Sequence, residues 1–279
     1  MSDRAFKISI VITSYNHRAY LIDAIDSVLR QTLMPHEIIV ADDMSSDGSQ
    51  DTIREYERKF PALVKGVFQS QRCGIPRNRN TALRAVTGDY VGILDGDDWF
   101  LPRKLEQQVA ALRQCPGAQL AYGNFRIVDS QRRPLRVKWS GPQPSGHVFA
   151  DVAKCKAGLL RTLIVEYQAV KDAGFMDERF PRFDGLWLTI KLAATCKIAY
   201  VDDILLDKRD HPTSDSKTLS THERVQDLTG IYRDLLPLLP LHANEEERAQ
   251  IMSAWTRLLG PHAAEACAGP IADSSTVEG

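Results

Sequence analysis

Four short runs, "KISIVIT" (7–13), "EIIVAD" (37–42), "ALVKGVF" (62–68) and "YVGILD" (90–95), are β-branched and almost unbroken in apolarity. A strand with one face in water alternates polar and apolar residues, whereas a strand covered on both faces does not, so these runs read as buried parallel strands. Helical patterns lie between them. In "AYLIDAIDSVLRQ" the residues Leu21, Ile22, Ala24, Ile25, Val28 and Leu29 recur at helical spacing, and "SQDTIREYERKF" and "PRNRNTALRAV" behave alike. Strand and helix in strict alternation predict an α/β sheet, mostly parallel and Rossmann-like, with right-handed crossovers.

The alternation weakens near residue 115. The stretch "RIVDSQRRPLRVKWSGPQPSGH" (126–147), rich in Pro, Gly and basic residues, predicts a loop or hairpin, and a helical pattern resumes over about 150–170. Two amphipathic segments, "ERVQDLTGIYRDLLPLLP" and "EEERAQIMSAWTRLL", predict a helical C-terminal extension over 221–279 that ends in a frayed polar tail, "ADSSTVEG". The preceding 1–220 form the main domain, with a nucleotide-binding half (1–114) and an acceptor half (115–220).

Charge and cysteine usage exclude several classes. With 35 basic and 36 acidic residues in 279, nothing marks a nucleic-acid binder. The five cysteines are odd in number, dispersed and without a C-x-x-C pair, which argues against a disulfide framework or a zinc site and for a reducing cytoplasm. The N-terminus has no signal-peptide pattern, and no apolar run reaches the ~18 residues of a membrane span. Peripheral contact with the inner membrane is compatible with this composition.

In an open parallel sheet, ligands bind at the carboxyl ends of the strands. The polar clusters "TSYN" (13–16), "DDMSSDG" (42–48), "CGIPRNRN" (73–80) and "DGDD" (95–98) follow the four strands in turn. Gly96 lets the chain turn so that Asp95 and Asp97 aim at one point, and two such carboxylates suit Mg²⁺ or Mn²⁺ together with a diphosphate. Asp98 reads as the cap of a helix opened by Pro102, and Asp47 with Ser49 as an Asx turn and cap before the next helix. Trp187 reads as core beside Leu186 and Ile190. The basic cluster Arg126, Arg132, Arg133, Arg136 and Lys138 reads as a solvated face rather than a grip on an anionic acceptor.

These four blocks in order resemble the signature segments of the family 2 glycosyltransferases, which have the GT-A fold; the resemblance covers residues 7–114 well. "VKDAGFMDERFPRFDGLWLTIKLA" and "DKRDHPTSDS" resemble later segments of that family more weakly. The resemblance implies an inverting, metal-dependent transfer of a sugar from a nucleoside diphosphate sugar, UDP-linked in the first instance, to an acceptor hydroxyl. The acceptor would be a saccharide or lipid-linked, in surface polysaccharide or glycolipid assembly. It assigns Thr13, Tyr15, Asp42, Arg79 and Asp95 to the nucleotide, Asp42 accepting from a ring N–H that cytosine lacks. It assigns Asp97 and His211 to Mn²⁺ or Mg²⁺, with a diphosphate contact or a surface histidine before a proline turn as the alternatives for His211. The family shows an acidic pair before the "LWL" helix, but this chain has Asp184 followed by Gly185. Asp184 is the expected catalytic base, against a cap for a helix from Leu186, with Asp177 and Glu178 in reserve. Two other functions fit less well: a catalytically inactive nucleotide-sugar-binding module, and a nucleotidyltransferase, which would carry a Gly-rich phosphate loop after the first strand.

Overall fold

The computed structural model describes residues 6–154, 159–212 and 220–262. At its centre β1 (Ile8–Ser14) lies wholly buried between β2 (Glu37–Asp42) and β4 (Tyr90–Asp95), with β3 (Val64–Phe68) outside β2 and all four parallel. Both faces of this half are covered. Val11, Ile39, Ala41, Val91 and Ile93 enter one core cluster, while Ile10, Ile12, Ile38, Val40 and Leu94 enter the other. Each such Val, Ile or Leu side chain contributes roughly 1.5–3 kcal/mol by burial, which is why the runs carry no polar alternation. The register pairs Thr13 with both Ala41 and Asp95, so the carboxyl ends of β1, β2 and β4 form one level rim.

The helices between these strands are α1 (Arg18–Leu29), α2 (Ser49–Lys59) and α3 (Ile75–Arg84). α1 buries Leu21, Ala24, Ile25 and Val28, but Ile22 is 49% exposed, so the apolar stripe is narrower than the sequence pattern predicts. α4 (Lys104–Gln114) begins two residues beyond Pro102, with Arg103 at its N-cap and no side-chain capping bond. Asp98 is therefore not its cap.

The second half adds β5 (Trp99–Phe100), β6 (Ala118–Val128), β7 (Pro134–Val137), β8 (Ile164–Glu166) and β9 (Lys197–Arg209). The strand order is β3-β2-β1-β4-β8-β6-β9-β5, with β7 pairing β6. The expected hairpin is present as the antiparallel β6–β7 pair. The helix expected over 150–170 is not continuous: α5 (Phe149–Ala153), a 3₁₀ turn at Leu159–Arg161, β8 and α6 (Tyr167–Asp172) occupy the stretch. Ile164 and Val165 bridge β4 and β6 antiparallel, and a buried apolar run of this length looks the same in a helix and in a covered strand.

After α7 (Asp184–Thr195) the chain closes with α8 (Thr221–Leu235), α9 (Leu239–His242) and α10 (Glu245–Leu259). Capping boxes at Ser220/Glu223 and Asn244/Glu247 fix where α8 and α10 begin. Leu228, Ile231, Tyr232, Ile251 and Trp255 join the same core cluster as Leu188 and Leu192 of α7. The polar tail lies outside the described residues, as do 213–219, which include the last four residues of the "DKRDHPTSDS" stretch. Among the described residues no helix is long and apolar enough to cross a membrane.

Candidate active site

The rim is built from short-range turns that lock the first two loops together. Asn16, at φ 53°, donates its N–H to Ser45 Oγ and accepts from Ser46 N at Oδ1. Asp42 is fully buried; Oδ1 accepts from Ser45 N (2.8 Å) and Gln50 Nε2 (3.0 Å), and Oδ2 from Ser45 Oγ (2.5 Å). With Asp42 wholly covered, a base N–H reaches it only if the surrounding residues move, although Oδ2 keeps acceptor capacity. Asp47 makes the expected turn through Ser49 N and Oγ, and its other oxygen also accepts from Arg18 N at the start of α1. Asp43, which the sequence did not single out, accepts from Cys73 N and Gly74 N and so ties β2 to the loop that launches α3. Thr13 is buried, its carbonyl receiving Gly96 N (2.8 Å), while the half-buried Tyr15 lies under Arg72, 4.1 Å from its ring centroid.

Space makes Gly96 obligatory. A Cβ there would lie 2.7 Å from the Thr13 carbonyl oxygen and 3.0 Å from His17 Nδ1. The turn leaves one oxygen from each of Asp95, Asp97 and Asp98 within 4.8 Å of one another. Three like charges at that separation need counter-charge or protons. Arg79 Nη2 donates to Asp95 Oδ1 at 2.5 Å, and its Nη1 donates to both oxygens of Asp184 at 3.0 and 2.9 Å. Arg161 Nη1 donates to Asp95 Oδ2 (2.8 Å) and Asp98 Oδ2 (2.9 Å). His211 Nε2 lies 2.9 Å from Asp97 Oδ2, its ring 4.8 Å from that of Tyr20. Arg209 completes the cluster, donating its backbone N–H to Asp98 Oδ1 and Nε to the Asp97 carbonyl.

The three acids differ accordingly. Burial opposes ionisation of Asp95, but Arg79 and then Arg161 outweigh it and hold the carboxyl below the usual range. Burial likewise works against Asp97, where the contact with His211 prevails and the shift is downward. Asp98 is pushed well above the carboxylate range, by burial first and then by the charge of Asp97, which Arg161 only partly offsets. Of the three, Asp98 is therefore the acid most readily protonated.

Among the expected site residues, Arg79, Asp95, Asp97, Asp184 and His211 meet at this cluster. His211 is 2% exposed, which excludes the surface-histidine alternative. Asp184 is the first residue of α7 and makes no capping bond; its carboxylate faces Arg79. Gly185 closely adjoins Leu160, whose Cδ2 would be 2.2 Å from an added Cβ, so the position of the missing acid is filled from the 3₁₀ turn. Asp177 pairs with Arg179, and Glu178 contacts Arg77 and Asn80. Trp187 is core, edge-on to Phe180. Within the basic cluster Arg126, Arg132 and Arg133 pair with Asp207, Asp23 and Asp129. Arg161 escaped the sequence analysis because it falls in the stretch read as helix; an arginine inside the apolar run "LLRTLIV" is the signal that marks it.

A divalent cation fits this donor set. Asp97 and His211 offer a carboxylate oxygen and an imidazole nitrogen at one point, and His17 Nδ1, beside Gly96, is buried without a hydrogen-bond partner. Asp95 is committed to two guanidinium groups and is the less available ligand.

Residues 9–152 match the family described as Glycosyl transferase family 2. A putative teichuronic acid biosynthesis glycosyltransferase of Bacillus subtilis, TuaG, is 38% identical over 128 residues, 46% of this chain and 50% of that protein. An uncharacterized glycosyltransferase of Nostoc is 41% identical over 140 residues, 50% of this chain and 43% of that protein. The chain spans about half or less of the length of the curated relatives it matches. Two solved structures share the fold at low identity. Staphylococcus aureus TarS 1–349, in complex with UDP-GlcNAc, aligns at TM-score 0.70 and 18% identity over 92% of this chain and 73% of that one. The mannosyltransferase PcManGT of Pyrobaculum calidifontis, in complex with GDP-Man and Mn²⁺, aligns at 0.63 and 19% over 96% and 77%. The architecture is the GT-A fold, and since the family match takes in more than half of its 279 residues, the chain belongs to glycosyl transferase family 2.

Proposed function

We propose that this chain carries out an inverting transfer of a sugar from a nucleoside diphosphate sugar, UDP-linked in the first instance, to a hydroxyl of a saccharide or lipid-linked acceptor. The observation that carries the reading is the convergence of Asp97 with His211, and of Asp95 with Asp184 through Arg79, at one strand rim. Asp97 and His211 would hold Mn²⁺ or Mg²⁺, which neutralises charge growing on the departing diphosphate. Arg79 and Arg161 bring two cations to the same place, and Asp184 accepts the proton of the attacking hydroxyl. The nucleotide lies over Thr13, Tyr15 and Asp42. A role in surface polysaccharide assembly is in line with the name of the Bacillus subtilis relative, a putative teichuronic acid biosynthesis glycosyltransferase; the setting we propose for it is the cytoplasmic side of the membrane.

Thermal shift with UDP, GDP, dTDP and CDP, each with Mn²⁺ or EDTA, tests the donor side. A ligand at ~100 times its Kd adds about 2.7 kcal/mol of stability, so binding is readily seen. We expect stabilisation that needs the metal and is weakest with CDP. Asp97→Asn should lower diphosphate affinity roughly tenfold or more while the protein stays folded, because a neutral amide is a poor ligand for a hard cation. Equal affinity in EDTA removes the metal from the proposal. One observation favours a second reading, a nucleotide-sugar-binding module without turnover: Gly185 and Leu160 fill the place of the second acid. Metal-dependent binding with no donor hydrolysis or transfer would select it.

A further inference from the structure

Phe183 occupies the N-cap position of α7 and has no side-chain acceptor to offer the backbone donors there. The chain entering the helix is held from elsewhere: Asp227 of α8, 5% exposed, accepts from Arg182 N, one residue ahead of the N-cap, through Oδ2 at 2.8 Å, and its carboxylate also lies near the Phe183 N–H, which donates to the Phe180 carbonyl at 3.2 Å. The neighbouring contacts repeat the arrangement. Arg182 Nη2 reaches Glu223 Oε1 at 3.4 Å, Arg179 Nη2 donates to Asp234 Oδ2 at 2.6 Å, and a Cβ on Gly230 would lie 2.5 Å from Phe180 Cε1. Residues 223, 227, 230 and 234 are spaced four, three and four apart, which is one face of a helix. That face lies along residues 179–183, the stretch that delivers Asp184 to Arg79.

We propose that α8 belongs to the catalytic apparatus and that Asp227 is the positioning residue for Asp184, supplying from the C-terminal helix the carboxylate that anchors the chain where it enters α7. The inference rests on the reading of Asp184 as the base. A buried acceptor for the residue ahead of the N-cap fixes where the chain enters α7, and with it where Asp184 begins the helix. Without it, residues 182–184 lose their anchor and Asp184 can leave Arg79.

Hydrogen–deuterium exchange and donor hydrolysis with UDP-glucose, UDP-N-acetylglucosamine and GDP-mannose in Mn²⁺ test this on the full chain. In Asp227→Ala, exchange at the Arg182 amide should rise roughly fivefold or more, the effect of a lost hydrogen-bond acceptor. Its kcat should fall roughly tenfold with donor KM nearly unchanged, and Asp227→Asn, which keeps an acceptor oxygen, should restore most of both. In an Asp184→Asn background, Asp227→Ala should cost no further activity, because it acts through Asp184. Unchanged exchange in Asp227→Ala overturns the proposal, as does wild-type kcat in Asp227→Ala while Asp184→Asn is inactive. If Asp184→Asn turns over normally, or no donor is hydrolysed by the unsubstituted protein, it is the reading of Asp184 that fails. Exchange then decides whether Asp227 holds the turn.

Discussion

Lys104 opens α4 fully buried, its Nζ donating to Gln108 Oε1 at 2.6 Å and lying 4.2 Å from the centroid of Phe100. Gln108 in turn donates to the carbonyls of Ala121 and Thr162, the residue after Arg161, so this pair supports the turn that presents Arg161. Burial pulls the ammonium down to about 7. Between that value and the ordinary 10.5 of an unfolded lysine, the unfolded chain carries a proton that the folded chain lacks, so this group makes stability rise with pH from about 7 upward. The slope is at most ~1.4 kcal/mol per pH unit. Urea unfolding at pH 6.5 and 9 should show Lys104→Met missing part of the wild-type gain over that interval; parallel pH dependence would mean that Lys104 stays charged. Single residues differ in how well their neighbourhood is written into the sequence. Asp95 and Asp97 announce themselves, because two acids around a glycine directly after a buried strand have few other uses. Arg161 does not, since its partners Asp95 and Asp98 come from a distant segment, and Lys104 does not, since its partners Phe100 and Gln108 are local but its burial is set by the tertiary packing around them.

At the level of elements, α1, α2, α3 and the first four strands follow from their own sequences, whereas 150–170 does not. There, the 3₁₀ turn, β8 and α6 share a stretch whose apolar residues suit a helix equally well, and the choice falls to β4 and β6, which need a partner between them. The same turn explains Gly185. An alanine in a helix is normally better than glycine by about 1 kcal/mol, but here its Cβ would meet Leu160 at 2.2 Å. Gly185→Ala should therefore lower stability by about 1–2 kcal/mol instead of raising it, and adding Leu160→Ala should remove that clash. Urea midpoints of the two variants check the sign. Asp184 shows the limit of motif matching: Asp-Gly ahead of an apolar helix allows a cap as well as a base, yet α7 starts at Asp184 itself, and the chain just before it is held by Asp227 of α8.

Across the whole molecule the sheet divides two apolar clusters, and α8 and α10 complete the one that also holds α7. Trp255 of α10 is fully buried, stacks on Tyr232 at 5.4 Å and donates Nε1–H to the Ala153 carbonyl at 2.7 Å. Trp255→Ala should cost about 3–5 kcal/mol in a single cooperative transition; a small, separate transition would instead make 221–262 an independent extension. The sequence by itself determined the parallel half of the sheet, the helices around it and the acids at the strand ends. Those features depend on periodicity and turn chemistry within about ten residues, which a chain carries locally. Only the tertiary structure decided the second half of the sheet and the ion pairs of the site. Arg79 and Asp184 stand 105 positions apart, Asp97 and His211 114. Contacts across such separations are chosen by which strands neighbour each other and which helix closes the core, and a single chain's pattern does not encode them locally.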